Sequence, residues 1–389
     1  MKELHPRSPW TVRSMPLLLA TAVAAFLIAA CGGAPTPPLE LNYFLLVPNN
    51  AGANATVEVM GAADDPGTLA RDAGGAFQLE ASAVAATPQF GPDGRIYVAD
   101  AKPQPNGSTP GRILVFSAAE ALGTASPATV AEITSPGLMQ PVALAFDNND
   151  NLWVVDRRNS TQGAFVANRI LRLGDVAGLT GSNELAPEAV IELALSPVPT
   201  STQNTFLSSI HFDFSGNLWY TDQFDWSVGR IDNPASINGT QLDFAPSVQF
   251  ASVDFVAPIQ SAIRNPGSLA FDLSGRLYVG NRGQTVVARF DDPYGITDQD
   301  REVAAAATIR VGGTGLTNTN QVGFDKEGAL WVASTSAGES QASDLVRLNV
   351  PAAASGQVTV EPTARFAWSS GGSNLGGPLL FFPPRTQPD

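Results

Sequence analysis

Asn49, Asp100, Asp156, Asp222, Asn281 and Ser334 share one position in the sequence: each closes a short apolar run that carries Trp, Tyr or Phe. Three carboxylates, two amides and a hydroxyl around one axis would suit Ca²⁺ or another divalent cation, since Ca²⁺ takes six to eight oxygen ligands. Asp100, Asp156, Asp222 and Asn281 are the candidate metal set. The same side chains also cap turns by accepting backbone N–H groups, and both readings stand at this level. His211 is one of two histidines, the other being His5 near the N-terminus. Beside carboxylates it is a candidate catalytic general base; packed and hydrogen-bonded in the core it is structural. The sequence places it near the start of its strand, towards the loop-rich face. Asn49, Arg157, Arg282 and Asn320 are the candidate ligand-binding residues of that face.

These residues recur because the chain itself repeats. LAFDNNDNLWVVD (144–156), IHFDFSGNLWYTD (210–222), LAFDLSGRLYVGN (269–281) and VGFDKEGALWVAS (322–334) follow one plan, with PQFGPDGRIYVAD (88–100) a weaker copy. A strand with Phe and Asp (strand A) leads through a tight turn into the aromatic strand B. Gly94, Gly216, Gly275 and Gly328 close that turn, with Asp150 in the second copy; these residue types tolerate the positive φ that a tight hairpin requires. Strand C carries Arg112, Arg169, Arg230, Arg289 or Arg347, able either to draw anions to the channel or to cross the hairpin and pair with an acid. Strand D is a short β-branched run, and the C–D connection is expected to hold a small helical loop.

Self-similarity at a fixed period outweighs element-by-element assignment. A unit made only of strands and turns indicates an all-β, six-bladed β-propeller of four-stranded antiparallel blades. The strand A phenylalanines fall at intervals of 53 to 66 residues from Phe90 to Phe381. Residues 41–81 supply strands B, C and D of a blade that lacks strand A, and 376–383 supply a lone strand A. The ring is expected to close by pairing the C-terminal strand with the N-terminal blade, which removes both free edges. The B–C and D–A loops then share one face with the channel mouth, where variable loops on a rigid frame favour binding.

The N-terminal 30 residues stand apart. Lys2, Arg7 and Arg13 precede a 14-residue apolar and small run, 17–30, too short to cross a bilayer and fit for a secretory signal. Leu27-Ile28-Ala29-Ala30-Cys31 resembles the lipobox of bacterial lipoproteins, and Cys31 is the only cysteine. The resemblance implies lipidation at Cys31 and anchoring to the cell membrane or outer membrane. Residues 31–40 then read as tether and 41–389 as propeller. The formal charge of −14, or −16 without the leader, argues against nucleic acid and against a polybasic membrane contact. The lipid is the only membrane link expected, on a monomer.

The repeat, followed by a strand such as that of Arg289-Phe290, resembles the NHL-repeat propellers over residues 41–383. It is also similar to the senescence-marker-type gluconolactonases and to virginiamycin B lyase. That superfamily includes binders, lactonases and lyases. Its gluconolactonases hold a metal through a Glu, two Asn and an Asp, mostly at the start of strand A. The matching slots here are Thr87-Pro88-Gln89, Ser208-Ser209-Ile210, Gly267-Ser268-Leu269 and Asn320-Gln321-Val322, of which Asn320 keeps the ligand type. The expectation is an envelope-anchored binding or interaction module for a small molecule, glycan or envelope protein. The alternative is a metal-dependent hydrolase or lyase acting on a lactone or sugar-like substrate.

Overall fold

In the computed structural model the chain clusters into two units, Met1–Leu41 and Asn42–Asp389. The described residues are 43–49, 56–62, 70–78, 85–101, 111–118, 121, 126–157, 168–193, 206–223, 225–251, 262–282, 284–297, 303–313, 318–325, 327–334, 343–368 and 379–382, all in the second unit. Cys31, the leader and the tether lie outside them. None of the described helices is long and apolar enough to cross a membrane.

The chain begins with β1 (Tyr43–Asn49), β2 (Thr56–Ala62) and β3 (Ala70–Gln78). The first full repeat is β4 (Ala85–Phe90), β5 (Arg95–Asp100), β6 (Arg112–Ser117) and β7 (Thr129–Thr134). The second is β8 (Pro141–Phe146), β9 (Leu152–Asp156), β10 (Arg169–Leu173), β11 (Gly181–Glu184) and β12 (Ala189–Leu193). The third is β13 (Leu207–Phe212), β14 (Leu218–Asp222), β15 (Ser227–Ile231), β16 (Gly239–Phe244) and β17 (Val248–Ala251). The fourth is β18 (Pro266–Phe271), β19 (Leu277–Asn281), β20 (Val286–Phe290) and β21 (Ala307–Val311). The fifth is β22 (Gln321–Phe324), β23 (Leu330–Ser334), β24 (Ser343–Leu348), β25 (Gly356–Val360) and β26 (Ala364–Trp368), and β27 (Leu380–Phe382) follows.

The fold is an all-β propeller. Its sheets pack on both faces, so β9 (LWVVD) and β10 (RILRL) are buried at every position and show no polar alternation. In the first four repeats an aromatic of the second strand meets a phenylalanine of the next repeat edge to face. Tyr97 lies 5.0 Å from Phe146, Trp153 5.8 Å from Phe212, Trp219 5.5 Å from Phe271 and Tyr278 4.8 Å from Phe324, between ring centroids. The inner strands touch in the order β4, β8, β13, β18, β22, β27 and back to β4.

Two expectations need correction. Five blades, not six, are built from continuous repeats, and the sheet β27-β1-β2-β3 joins the two ends of the chain, with β27 pairing with β1 as expected. Nor are all blades four-stranded and antiparallel. β11 pairs in parallel with β7, β16 with β12 and β25 with β21, so three sheets have five strands. Each added strand is part of a C–D connection that crosses to the outer edge of the preceding blade. Of the helical loops expected there, the described residues show α-helix at Ala118 and Ala121 in the first repeat and a 3₁₀ turn at Pro234–Ser236 in the third.

The A–B turns follow the sequence reading, and the Phe-Asp aspartate explains them. Asp147 Oδ1 accepts the N–H of Asn149 at 2.9 Å and of Asn151 at 3.0 Å, while Oδ2 accepts Trp153 Nε1 at 2.9 Å. Asp213 serves Trp219 likewise at 2.7 Å, and Asp325 serves Trp331 at 2.8 Å. In the first repeat Gly91 stands where the others have Asp, because a Cβ there would lie 2.3 Å from Tyr97 Cε2. Asp93 takes over and accepts the Tyr97 hydroxyl at 3.0 Å.

Candidate functional site at the channel mouth

Asp100, Asp156, Asp222 and Asn281 end β5, β9, β14 and β19 and pair with Ala85, Pro141, Leu207 and Pro266 at the start of the adjoining inner strand. All four are at most 1 % exposed. Their polar atoms turn into their own blades. Asp156 Oδ1 accepts the N–H of Met139 at 2.8 Å and of Gln140 at 2.7 Å, and its Oδ2 accepts Arg169 Nε at 3.0 Å. Asp100 Oδ2 accepts Arg112 Nε at 2.8 Å. Asp222 Oδ1 accepts the N–H of Phe206 at 3.0 Å. Asn281 accepts the N–H of Arg264 at 2.8 Å and donates to the carbonyls of Ala262 at 2.9 Å and Val286 at 2.8 Å. Asp156, Asp222 and Asn281 thus clamp the segment that enters strand A, while Asp222 also accepts the Asp225 N–H of its B–C turn at 3.4 Å and Asn281 reaches Val286 across its own. Among the described residues no three His, Cys, Asp or Glu side chains could hold a metal ion together. With its oxygens committed in this way, this donor set does not fit Ca²⁺. Asn49 and Ser334 close β1 and β23, and their side chains lie outside the description.

The arginines of strand C fall into two registers, not one. Arg112 and Arg169 stand opposite the closing acids Asp100 and Asp156. Arg230, Arg289 and Arg347 stand opposite Trp219, Tyr278 and Trp331, nearer the A–B turns. The second repeat fills both registers, since Arg172 faces Trp153, pairs with Glu188 at 3.1 Å and sits 5.7 Å from the Trp153 ring.

His211 is the next-to-last residue of β13 and pairs with Trp219, whereas Asp222 pairs with Leu207 at the strand's start. Three register steps of about 3.4 Å put it roughly 10 Å from the level of the closing acids. The expected place near the start of the strand is therefore corrected: Asp213 and its turn follow His211 at once, so it belongs to the A–B end. Its Nδ1–H donates to the Phe212 carbonyl at 2.6 Å, and its ring is 5.7 Å from that of Phe271. Burial holds its pKa below the ordinary value.

The starts of the inner strands also carry residues that the repeat does not explain. All of the register shifts in β4, β8, β13 and β18 fall near the start of the strand, as bulges do where side chains are re-aimed. Ser208 Oγ lies 2.8 Å from Thr221 Oγ1 and donates to the Pro266 carbonyl at 2.8 Å, linking β13 to β18. Ser268 Oγ accepts the Val322 N–H at 2.8 Å, linking β18 to β22. Asn320 lies against Gly267, where a Cβ would come within 1.9 Å of its Oδ1. Asn320 is fully buried, yet among the described residues neither its Oδ1 nor its Nδ2 has a hydrogen-bond partner, and Ser209 Oγ and Gln223 Nε2 share that state. Arg157 leaves β9, donates from Nε to the Leu207 carbonyl at 2.8 Å and stacks with its guanidinium carbon 3.8 Å from the Phe206 ring centroid. Burial first, and then the charge of Arg282, push its pKa down to about 9, with Asp222 opposing. Arg282 is partly buried, and that burial lowers its own value.

No protein-family model and no curated protein matches this chain. Solved structures do resemble it. A protein of unknown function from Bacteroides caccae aligns with a TM-score of 0.52 at 10% identity, over 87% of this chain and 98% of that one. A putative 6-phosphogluconolactonase from Bacteroides fragilis gives 0.47 at 14%, over 81% and 80%. A virginiamycin B lyase from Staphylococcus aureus, inactive and with quinupristin, gives 0.44 at 12%, over 85% and 86%. The likeness concerns the fold alone.

Proposed function

We propose that the protein is a ligand-binding propeller of the cell envelope, anchored through lipidated Cys31, that takes its ligand at the B–C/D–A mouth. In this reading β27-β1-β2-β3 is the sixth blade and closes the ring. The observation that carries the reading is Asn320: a fully buried amide with no partner among the described residues. Leaving a buried amide unpaired is unfavourable by about 1–3 kcal/mol, so its place at a channel mouth points to a group that arrives from outside. The metal-dependent hydrolase or lyase alternative would use the same mouth. It would need carboxylate oxygens that Asp100 and Asp156 give to arginines and backbone N–H groups.

Thermal unfolding of the full chain in detergent, against a panel of small polar molecules and against Ca²⁺ followed by chelator, separates the two. Ligand at a hundredfold excess over Kd adds about 2.7 kcal/mol, a rise in Tm of at least a degree or two for a domain this large. The binding reading expects a stabilising molecule whose effect disappears in Asn320→Leu. A Ca²⁺ effect that is reversed by chelator and lost in Asp156→Asn would sink it in favour of the metal-dependent enzyme.

A further inference from the structure

Five arginines are buried among the described residues: Arg112, Arg157, Arg169, Arg172 and Arg289. Four of them have a carboxylate, at 2.8 Å for Arg112, 3.0 Å for Arg169, 3.1 Å for Arg172 and 2.7 Å for Arg289. Arg157 is the exception: no described carboxylate pairs with it. Its Nε is fixed on the Leu207 carbonyl and its plane on Phe206, and among the described residues no acceptor meets its two Nη nitrogens. Asp222 acts on Arg157 as a counter-charge, but no described ion pair joins the two; a buried guanidinium that no carboxylate pairs is unfavourable unless an anion completes it, and the planar fork suits two oxygens of a carboxylate or phosphate.

The surroundings extend this. Arg282, which follows Asn281 at the end of β19, is close enough to depress Arg157's affinity for its proton, with Asp222 opposing, so two positive charges and one negative charge act on one place. The Arg282 N–H donates to the Asn265 carbonyl at 2.9 Å, two residues from Gly267, against which Asn320 lies. Gln223 donates its N–H to the carbonyl of Phe206 at 3.0 Å, the residue on whose ring Arg157 stacks. The unpartnered polar atoms of Asn320, Ser209 and Gln223 belong to residues near the same ends of the inner strands β13 and β22 and of β14 as the arginines' backbone contacts.

We infer that the ligand of this mouth is a small, hydroxyl-bearing oxyanion, held at its charged end by Arg157 within the field of Arg282 and along its polar flank by Asn320, Ser209 and Gln223. This rests on the ligand-binding reading above and names the chemistry of its ligand.

The test is calorimetric titration of the full chain with glucuronate, glucose and inorganic phosphate at equal ionic strength. Glucuronate is expected to bind at least tenfold more tightly than glucose, and Arg157→Gln to weaken it at least tenfold, with Arg157→Lys recovering part of the loss. Should Arg157→Gln fail to fold, Arg282→Gln at the more exposed position is expected to weaken glucuronate and leave glucose unchanged. Tighter binding of phosphate than of glucuronate supports the inference with a phosphate ester as the source of charge. Glucose binding as tightly as glucuronate, or anion binding that survives Arg157→Gln, overturns the oxyanion and leaves a binding mouth. If neither anion binds at millimolar concentration the oxyanion is overturned as well, and loss of a panel molecule's effect in Asn320→Leu then decides the binding reading separately.

Discussion

Arg169 faces Asp156 directly across the β9–β10 ladder, with Nε 3.0 Å from Oδ2, and the same carboxylate holds the N–H groups of Met139 and Gln140. Three residues further on, Arg172 does the corresponding work at the other end of the strand, between Glu188 and the Trp153 ring. The closing acids thus belong to the frame of each blade. They fix where the inner strand begins, and with it the polar residues that surround the mouth.

The Phe-Asp aspartates are expected to be as important as the closing acids. Asp147→Ala removes the acceptor of two backbone N–H groups and leaves Trp153 Nε1, in a side chain buried at 0 % exposure, without its partner. A loss of about 1–3 kcal/mol follows for the buried donor alone, measurable by urea unfolding. Asp213→Ala should behave alike. Gly91→Asp, which makes the first repeat match the others, should destabilise instead, because its Cβ meets Tyr97.

Stability should depend on His211 below neutral pH. Burial lowers its folded pKa from the ordinary 6.5, so the unfolded chain binds a proton that the folded chain refuses. This contribution is complete above about pH 6.5 and is lost as the pH falls below it. The Tm of His211→Gln should therefore fall less steeply than that of the parent as the pH is lowered from neutral. Parallel profiles would show that the imidazole does not titrate on unfolding.

The parallel strands should protect blade edges. Thr240 and Gln241 of β16 pair with Val190 and Ile191 of β12. Successive N–H groups of a strand point to opposite sides, so one of Thr240→Pro and Gln241→Pro must break a ladder bond. That variant should expose the β12 edge and aggregate, seen as increased light scattering at a temperature where the parent stays clear. Clear solutions of both would show that β16 is dispensable.

How much of this was legible in the sequence follows from local chemistry. The aromatic register was plain because Trp and Tyr recur at one place after a glycine or aspartate with positive φ, such as Gly216 at 80° or Asp150 at 64°. The strands β11, β16 and β25 were not legible. GSNE, GTQLDF and GQVTV are mostly exposed and offer little apolar signal beyond Phe244, Val358 and Val360, since their pairing is decided by the neighbouring blade's open edge. The arginines were misaligned because Arg169 and Arg172 occupy two registers of one strand, and residue type alone could not tell them apart. The height of His211 could have been read from Asp213, which starts the turn two residues later. Arg157 and Asn320 were found as loop and strand-start residues. That one forms no described ion pair and the other has no partner among the described residues is visible only once the blades are assembled.

The central claim is a division of labour at one end of the inner strands: the closing acids serve the fold, and Asn320 serves a ligand. Urea unfolding of the full chain without ligand, comparing Asp156→Ala with Asn320→Leu, tests it most directly. Asp156→Ala should lose about 3–5 kcal/mol, because it strands the Arg169 guanidinium inside the protein. Asn320→Leu replaces an unpartnered amide with an apolar group of similar shape and should be nearly neutral or stabilising. A loss in Asn320→Leu equal to that in Asp156→Ala would contradict the claim, since Asn320 would then be part of the frame.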